Sequence, residues 1–353
     1  MKKKSVEPGI TKEYGAEMYN FALIGEHLSH SYSPMIHSKF GDYEYELCEV
    51  SEGDLQDLLK SEKYDGFNVT IPYKEKIIKY CDEISNDCRR IGAVNTIVKN
   101  AEGKYIGYNT DYFGFRYLLE KSDIDVAGRK CVILGSGGAS KTVSVVLQDL
   151  GAKEILVVSR TGKINYENIK EYSDAEIIVN STPVGMFPNN MRSLINLDDF
   201  PGCIGVVDLI YNPNRTKLIL DAMERGIPAV SGLGMLVAQG FKASELFQGK
   251  ELDSEEISIA IEEIRDVTLN RILIGMPGAG KTFLGMKMAE ATGREFVDID
   301  DEIEADEGMS VAQIFEEKGE AYFRKLETEK LRQMCKRRGL IIATGGGVVK
   351  TKE

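Results

Sequence analysis

The stretch RKCVILGSGGASKTVSVVLQDLGAKEILVVSRT occupies residues 129–161. Its CVIL is a short apolar run of the kind a strand buried on both faces requires. GSGGAS follows at 135–140, then a helical pattern, then the second apolar run EILVV. Strand, glycine turn, helix and strand make one βαβ unit, the usual opening of a dinucleotide-binding fold. The turn departs from strict GxGxxG, because Ser140 stands at the third glycine position. Its context carries the reading: small residues between a strand and a helix let the backbone approach a pyrophosphate at the helix N-terminus. After the second strand, Arg160 and Thr161 stand where NAD-specific enzymes place a carboxylate for the ribose 2′-hydroxyl. An Arg there can hold a 2′-phosphate instead, which favours NADP.

The 353 residues suffice for two or more domains. At 42% hydrophobic and 28% charged, the composition is that of a soluble globular protein. A formal net charge of −12 argues against general nucleic-acid affinity, since no excess of Lys and Arg is available to displace counterions. The opening MKKKSVEPG has no apolar run behind it, so it is not a secretory signal, and no long uncharged apolar stretch predicts a membrane span. Cys48, Cys81, Cys88, Cys131, Cys203 and Cys335 include no CxxC pair, as expected of reduced thiols in a cytoplasmic protein.

Upstream of the βαβ unit, short β-rich runs alternate with helical patterns. YEYELCEV (43–50) alternates with period 2, as a half-buried strand does. In SEGDLQDLLK, Ser51 is placed to cap a helix with Leu55, Leu58 and Leu59 on one face. GFNVTIP, AVNTIVKN and KYIGYN read as further strands, so this part is α/β as well. Four stretches are polar where folding alone does not ask for it: HSYSP (30–34), NVTIPYK (68–74), GAVNT (92–96) and GYNTD (107–111). They place hydroxyls, an amide, an ammonium and a carboxylate at strand ends, an inventory suited to a small polyhydroxylated acid. Lys74 and Asp111 are the only pair there able to transfer a proton. The histidines are His27, His30 and His37. No Cys or carboxylate completes a metal-ligand spacing, so local hydrogen bonding, with His30 bracing the Ser31 loop, is the expectation.

Downstream, EIIVNSTPVGM (176–186), IGVVDLIYNP (204–213) and the helical GMLVAQGFKASELFQ (234–248) continue the fold. Arg160 and Asn180 are too close in sequence for a full helix-plus-strand crossover, so the sheet is expected to be trimmed there. SEEISIAIEEIRDVT (254–268) is amphipathic and leads to the strand RILIG. Gly275, Gly278, Gly280, Lys281 and Thr282 then fit GxxxxGK[ST] between a strand and a helix. In that loop the amides cradle phosphates, Lys281 reaches the β/γ oxygens of ATP and Thr282 ligates Mg²⁺.

HSYSP, NVTIPYK, GAVNT, GYNTDYFGF, LGSGGAS, SRT, NSTPVGM, DLIYNP and GLGMLVAQ occur in the order found in shikimate dehydrogenases, which the chain resembles from about residue 20 to 248. The resemblance implies an α/β substrate domain, a Rossmann-like NADP domain and reduction of 3-dehydroshikimate in the cleft between them. It places Ser31, Ser33 and Tyr211 at the substrate carboxylate, and Thr70, Lys74, Asn95, Asp111 and Gln239 at the ring hydroxyls and ketone. It gives NADP(H) to Gly135, Ser136, Gly137, Gly138, Ala139, Ser159, Arg160, Thr161 and Leu209, with Gly232 and Met235 bordering the nicotinamide. Lys74 would supply the proton and Asp111 would keep it placed and charged. Where the family often carries another Arg after SRT, this chain has Lys163 and Ile164, a departure that bears on NADP against NAD.

FVDIDDEIE (296–304), IFEEKGEAYFRKLE (314–327) and ATGGG (343–347) resemble shikimate kinases in the same way. That implies a truncated P-loop α/β domain in which Asp300, Arg324, Gly345, Gly346 and Gly347 hold shikimate, with Asp298 beside the Mg²⁺. A complete kinase would run further, so little or no kinase activity is expected of this chain. The expected boundaries are an N-terminal extension (1–19), the shikimate-binding domain (20–110), the NADP domain (111–231) and a helix returning to the substrate domain (232–253). A linker helix (254–269) and the incomplete kinase domain (270–353) follow. The alternatives are a non-catalytic P-loop module and a dehydrogenase that prefers quinate. The partners expected are small molecules, without nucleic acid or membrane; oligomeric state is not legible.

Overall fold

The computed structural model describes residues 19–28 and 31–350, so His30 and nearly all of the expected N-terminal extension lie outside it. The chain forms two compact units, Met1–Ile261 and Glu262–Glu353. Among the described residues no helix is long and apolar enough to cross a membrane.

The first unit holds two sheets. One contains β1 (Asn20–Gly25), β2 (Glu44–Glu49), β3 (Gly66–Val69), β4 (Glu83–Ile84), β5 (Thr96–Lys99) and β6 (Tyr105–Tyr108), in the order β2-β1-β3-β5-β6-β4. β1 runs parallel to β2 and β3, whereas β5 is antiparallel to β3 and β6. The helices α1 (Ser33–Phe40), α2 (Leu55–Lys60) and α3 (Asn86–Ile91) connect these strands. β1 and β3 are buried on both faces, which explains the near-continuous apolar run FALI.

β2 is the edge strand, and its period-2 pattern does not mark a single buried face. Tyr43 and Tyr45 pack with Phe21 and Phe247, while Cys48 and Val50 on the opposite face join the cluster of Leu55 and Leu59. Leu47 is left exposed. Each face of this edge is covered over part of its length only. The expected cap at Ser51 also differs: the helix starts at Leu55, and Ser51 Oγ instead donates to Asp54 Oδ2 at 2.6 Å in the preceding turn. Leu55 and Leu59 are buried, as their spacing demands.

α4 (Thr110–Glu120) leads into the second sheet. It comprises β7 (Lys130–Leu134), β8 (Glu154–Val158), β9 (Ile177–Asn180), β10 (Gly205–Asp208) and β11 (Ala229–Ser231), all paired in parallel in the order β11-β10-β9-β7-β8. α5 (Gly138–Asp149) links β7 to β8, and α6 (Lys217–Glu224) links β10 to β11. Between β8 and β9 there is only a 3₁₀ turn at Ile169–Tyr172, the trimmed crossover its sequence length demands. The order in which strands are added reverses between β7 and β9, and ligands of such sheets bind at the carboxyl ends of strands flanking that point.

α7 (Leu233–Gln248) packs along α4. The approach is close: a Cβ on Gly114 would lie 2.5 Å from the Met235 carbonyl oxygen, so a larger residue there would push the helices apart. Arg90 of α3 grips Asp149 of α5 through two nitrogens at 2.9 and 2.6 Å, and Tyr112 donates to the same carboxylate at 2.8 Å. Those contacts join the two sheets on one side of the cleft.

α8 (Glu255–Thr268) leads to the second unit, a three-stranded parallel sheet of β12 (Arg271–Leu273), β13 (Phe296–Asp298) and β14 (Ile341–Ala343), ordered β12-β14-β13. α9 (Lys281–Thr292), α10 (Ile299–Glu307), α11 (Val311–Lys318) and α12 (Glu320–Met334) complete it. The fold is α/β throughout.

Candidate active site

A cavity of about 360 Å³ is lined by Ser31, Ser33, Thr70, Lys74, Asn95, Asp111, Tyr211 and Gln239 together. These are all the residues expected to hold the substrate, drawn from six separate stretches of chain. The core of the site is an ion pair. Lys74 Nζ donates to Asp111 Oδ2 at 2.6 Å, with only 20% and 9% of the two side chains exposed. Asp111 sits in the first turn of α4, where the helix dipole favours negative charge. The Lys74 carbonyl accepts from Val94 N at 2.8 Å, which fixes the ammonium's point of attachment.

The rest of the lining is held by a buried polar network. Asn95 Oδ1 accepts the Thr110 backbone N–H at 2.6 Å, and its Nδ2 donates to Thr110 Oγ1 at 3.0 Å. Gln239 on α7 donates to the Leu236 carbonyl at 2.9 Å. On the other wall Ser31 Oγ donates to Ser33 Oγ at 3.1 Å and accepts the Ser33 backbone N–H at 3.2 Å where α1 begins, so the two hydroxyls are held side by side. The Tyr211 ring lies against Tyr32.

The glycine turn leaves β7 at the switch point. α5 starts at Gly138, and its N-cap Gly137 makes no side-chain cap, so the first amides of the helix remain free for a phosphate. A Cβ on Gly137 or Gly138 would meet nothing within 4 Å, which leaves room for a ligand to approach the backbone. Gly135 and Ala139 complete the turn, with Ser136 exposed. Ser159, Arg160 and Thr161 follow β8, the strand beside β7; Arg160 is exposed and has no ion-pair partner among the described residues. This donor set fits a dinucleotide with a 2′-phosphate. Gly232 is buried at the start of α7, and a Cβ there would lie 2.0 Å from the Leu209 carbonyl oxygen, so only glycine lets these segments meet. Met235 is buried one helical step further on.

His37 is buried, stacked on Tyr45 with ring centroids 3.9 Å apart, and its Nδ1 lies 2.6 Å from the Tyr43 hydroxyl. Burial pushes this imidazole down to about 3, so it stays neutral. Among the described residues no group of three or more His, Cys, Asp or Glu side chains is arranged to hold a metal ion.

In the second unit, Gly275, Gly278 and Gly280 adopt positive φ in the loop between β12 and α9. Lys281 Nζ lies over that loop, donating to the carbonyls of Gly275 and Met276 at 2.9 and 3.0 Å. Thr282 Oγ1 donates to Asp298 Oδ2 at 2.7 Å, which brings together two hard oxygen ligands suited to Mg²⁺. Asp300, Arg324 and the triple glycine also converge. A Cβ on Gly347 would lie 2.2 Å from the Arg324 guanidinium, and one on Gly345 would lie 2.9 Å from Asp300 Oδ1. Gly346 packs as closely on Pro277 of the loop. Burial, with Asp298 and Glu327 nearby, pushes the Asp300 carboxyl up to about 6.

Two site residues escape a reading of the sequence. Asn68 lines the first unit's cavity; it heads the polar stretch NVTIPYK but also reads as an ordinary strand residue in GFNV. Glu327 is 1% exposed and accepts from Arg324 Nη1 at 2.8 Å. Its signal was an acid one helical turn after Arg324, inside a helix rich in exposed charge.

Comparison with known proteins agrees with this geometry. Residues 23–97 match the shikimate dehydrogenase substrate binding domain family, and residues 277–353 match the shikimate kinase family. The chain is 38% identical over 266 residues to the shikimate dehydrogenase (NADP(+)) of Clostridium perfringens, spanning 69% of this chain and 98% of that one. A shikimate dehydrogenase of Peptoclostridium difficile superposes with a TM-score of 0.66 at 38% identity, covering 70% of this chain and 98% of that one. The Thermus thermophilus enzyme, solved with NADP(H) and shikimate, gives 0.63 at 30% identity, covering 70% and 99%. With relatives of that identity matched along nearly their whole length, this chain belongs to the shikimate dehydrogenase family.

Proposed function

We propose that residues 20–253 reduce 3-dehydroshikimate to shikimate with NADPH in the cytoplasm, and that residues 270–353 carry an ATP- and shikimate-binding part of a shikimate kinase. The observation that carries the first reading is the Lys74–Asp111 pair, 2.6 Å apart in a cavity that also gathers hydroxyls and amides. The bound cofactor supplies the hydride. Lys74 hands a proton to the oxygen of the reduced ketone and offsets its developing charge, while Asp111 holds the ammonium in line. Ser31 and Ser33 take the carboxylate at the start of α1, with Tyr211 closing over it. Thr70, Asn95 and Gln239 meet the ring hydroxyls. The amides after Gly137 take the pyrophosphate and Arg160 the 2′-phosphate.

The second reading rests on Lys281, the Thr282–Asp298 contact and the convergence of Asp300 and Arg324 on the triple glycine. Thr282 and Asp298 would hold Mg²⁺ beside the phosphates. Oxidation of shikimate and of quinate, each with NADP⁺ and with NAD⁺, tests the dehydrogenase reading. Shikimate with NADP⁺ should give the highest kcat/KM of the four. Preference for quinate would refute the substrate assignment, and preference for NAD⁺ would refute the role of Arg160.

A further inference from the structure

Asn68 reaches the cavity from β3, and the way its amide faces follows from groups whose hydrogen-bonding roles are fixed. Asn95 Oδ1 is an acceptor, because the Thr110 backbone N–H points at it from 2.6 Å. The Thr96 hydroxyl donates its one proton to that oxygen at 3.2 Å, and Thr110 Oγ1 lies at the same distance on its other side. Thr96 Oγ1 can then only accept from Asn68, and the group facing it at 3.0 Å is Nδ2. The Asn95 carbonyl, an obligate acceptor, lies 3.5 Å from the same nitrogen. Asn68 Oδ1 therefore faces the other way, towards the Tyr45 hydroxyl, which donates to it at 2.7 Å.

Tyr45 is outside the cavity lining, on the edge strand β2. Its ring is stacked on His37 with an interplanar angle of 11°, and His37 is held by Tyr43, whose hydroxyl donates to Ser244 at 2.9 Å. Burial pushes the Tyr45 phenol well above its ordinary value, so it keeps its proton and remains a donor. Both amide protons of Asn68 and one lone pair are thus used inside the protein. What it can offer the cavity is the second lone pair of Oδ1.

We propose that Tyr45 is a positioning residue that holds Asn68 as a hydrogen-bond acceptor, so that this wall of the cavity selects a substrate hydroxyl. The inference rests on the reading of the cavity as the site of a polyhydroxylated acid. A site committed to one hydrogen-bond role discriminates strongly against the wrong partner. Losing the anchor weakens binding of that hydroxyl in ground state and transition state alike, which raises KM and leaves kcat little changed.

The test is steady-state shikimate oxidation by the full chain carrying Tyr45→Phe, which keeps the ring stacked on His37. KM for shikimate should rise about tenfold, the loss of about one hydrogen bond. The kcat and the KM for NADP⁺ should stay within about twofold. Asn68→Ala should also raise the shikimate KM, and Tyr45→Phe added to it should do no further harm. An unchanged KM in folded Tyr45→Phe, a fall in kcat alone, or additive losses in the double variant would each overturn the proposal. If Tyr45→Phe does not fold, Asn68→Ala decides instead, and an unchanged shikimate KM in that variant would overturn the proposal. A wild-type chain that does not oxidise shikimate would instead refute the reading of the cavity, and the inference with it.

Discussion

Asp208 ends β10 with a fully buried carboxylate, bonded by Thr216 Oγ1 at 2.6 Å, Asn180 Nδ2 at 3.0 Å and the Ile210 N–H at 3.0 Å. Those bonds knit the loops after β9 and β10, the second of which carries Tyr211. Desolvation outweighs them and pushes the carboxyl from 3.8 up to about 6. A carboxyl raised in the folded state stabilises it fully below pH 4 and loses that contribution as pH climbs through 6. Wild type should therefore lose about 2 kcal/mol relative to Asp208→Asn between pH 4 and 7, measured by urea unfolding at both values. A difference that does not vary with pH would show that the carboxyl is unshifted. Arg160 makes a second prediction at this scale. Arg160→Ala should raise the KM for NADPH roughly 10–100-fold, as loss of a charge-assisted bond does, and leave that for NADH nearly unchanged. Equal losses with both cofactors would remove Arg160 from phosphate recognition. Lys74, Asp111 and Arg160 stand out in the sequence as candidates because nothing in the folding code asks for them at strand ends. Asn68 and Tyr45 do not, because the roles proposed for them depend on a cross-strand neighbour and a partner far along the chain.

Elements were legible where a period and a terminator coincide. The βαβ unit at 129–161 has two apolar runs, a glycine turn and a helix between them, and it folds as read. The failures have one cause: the sequence does not say which faces a neighbour will cover. β2 alternates like a half-buried strand, yet each face is covered over only part of its length. Ser51 has the chemistry of a cap, but the turn at 51–54 precedes the helix and draws its hydroxyl to Asp54. The contact of Gly232 with the segment after β10 is likewise invisible in GLGM. Gly232→Ala forces a Cβ to within 2.0 Å of the Leu209 carbonyl oxygen, and backbone must move. The expected cost is about 1–3 kcal/mol, seen as a lower Tm and a raised KM for NADPH. A variant with unchanged Tm and NADPH affinity would show that this approach does not matter to the cofactor site.

At the scale of the molecule, the chain joins a two-sheet unit to a three-stranded P-loop unit, and each brings its own expected residues together. Lys281→Ala should abolish ATP binding, measured by fluorescence of a labelled nucleotide with Mg²⁺, while dehydrogenase turnover stays within about twofold. Retained nucleotide binding would contradict the P-loop assignment. The central claim concerns the first unit and is tested most directly by one measurement: NADPH oxidation on addition of 3-dehydroshikimate, for wild type and Lys74→Ala side by side. Wild type should turn over at roughly 1–10³ s⁻¹, the ordinary range for enzymes. Lys74→Ala should lose about 10²–10⁴-fold in kcat with a much smaller change in KM. No NADPH oxidation by folded wild type, or a Lys74→Ala variant that keeps most of its kcat, would contradict the account.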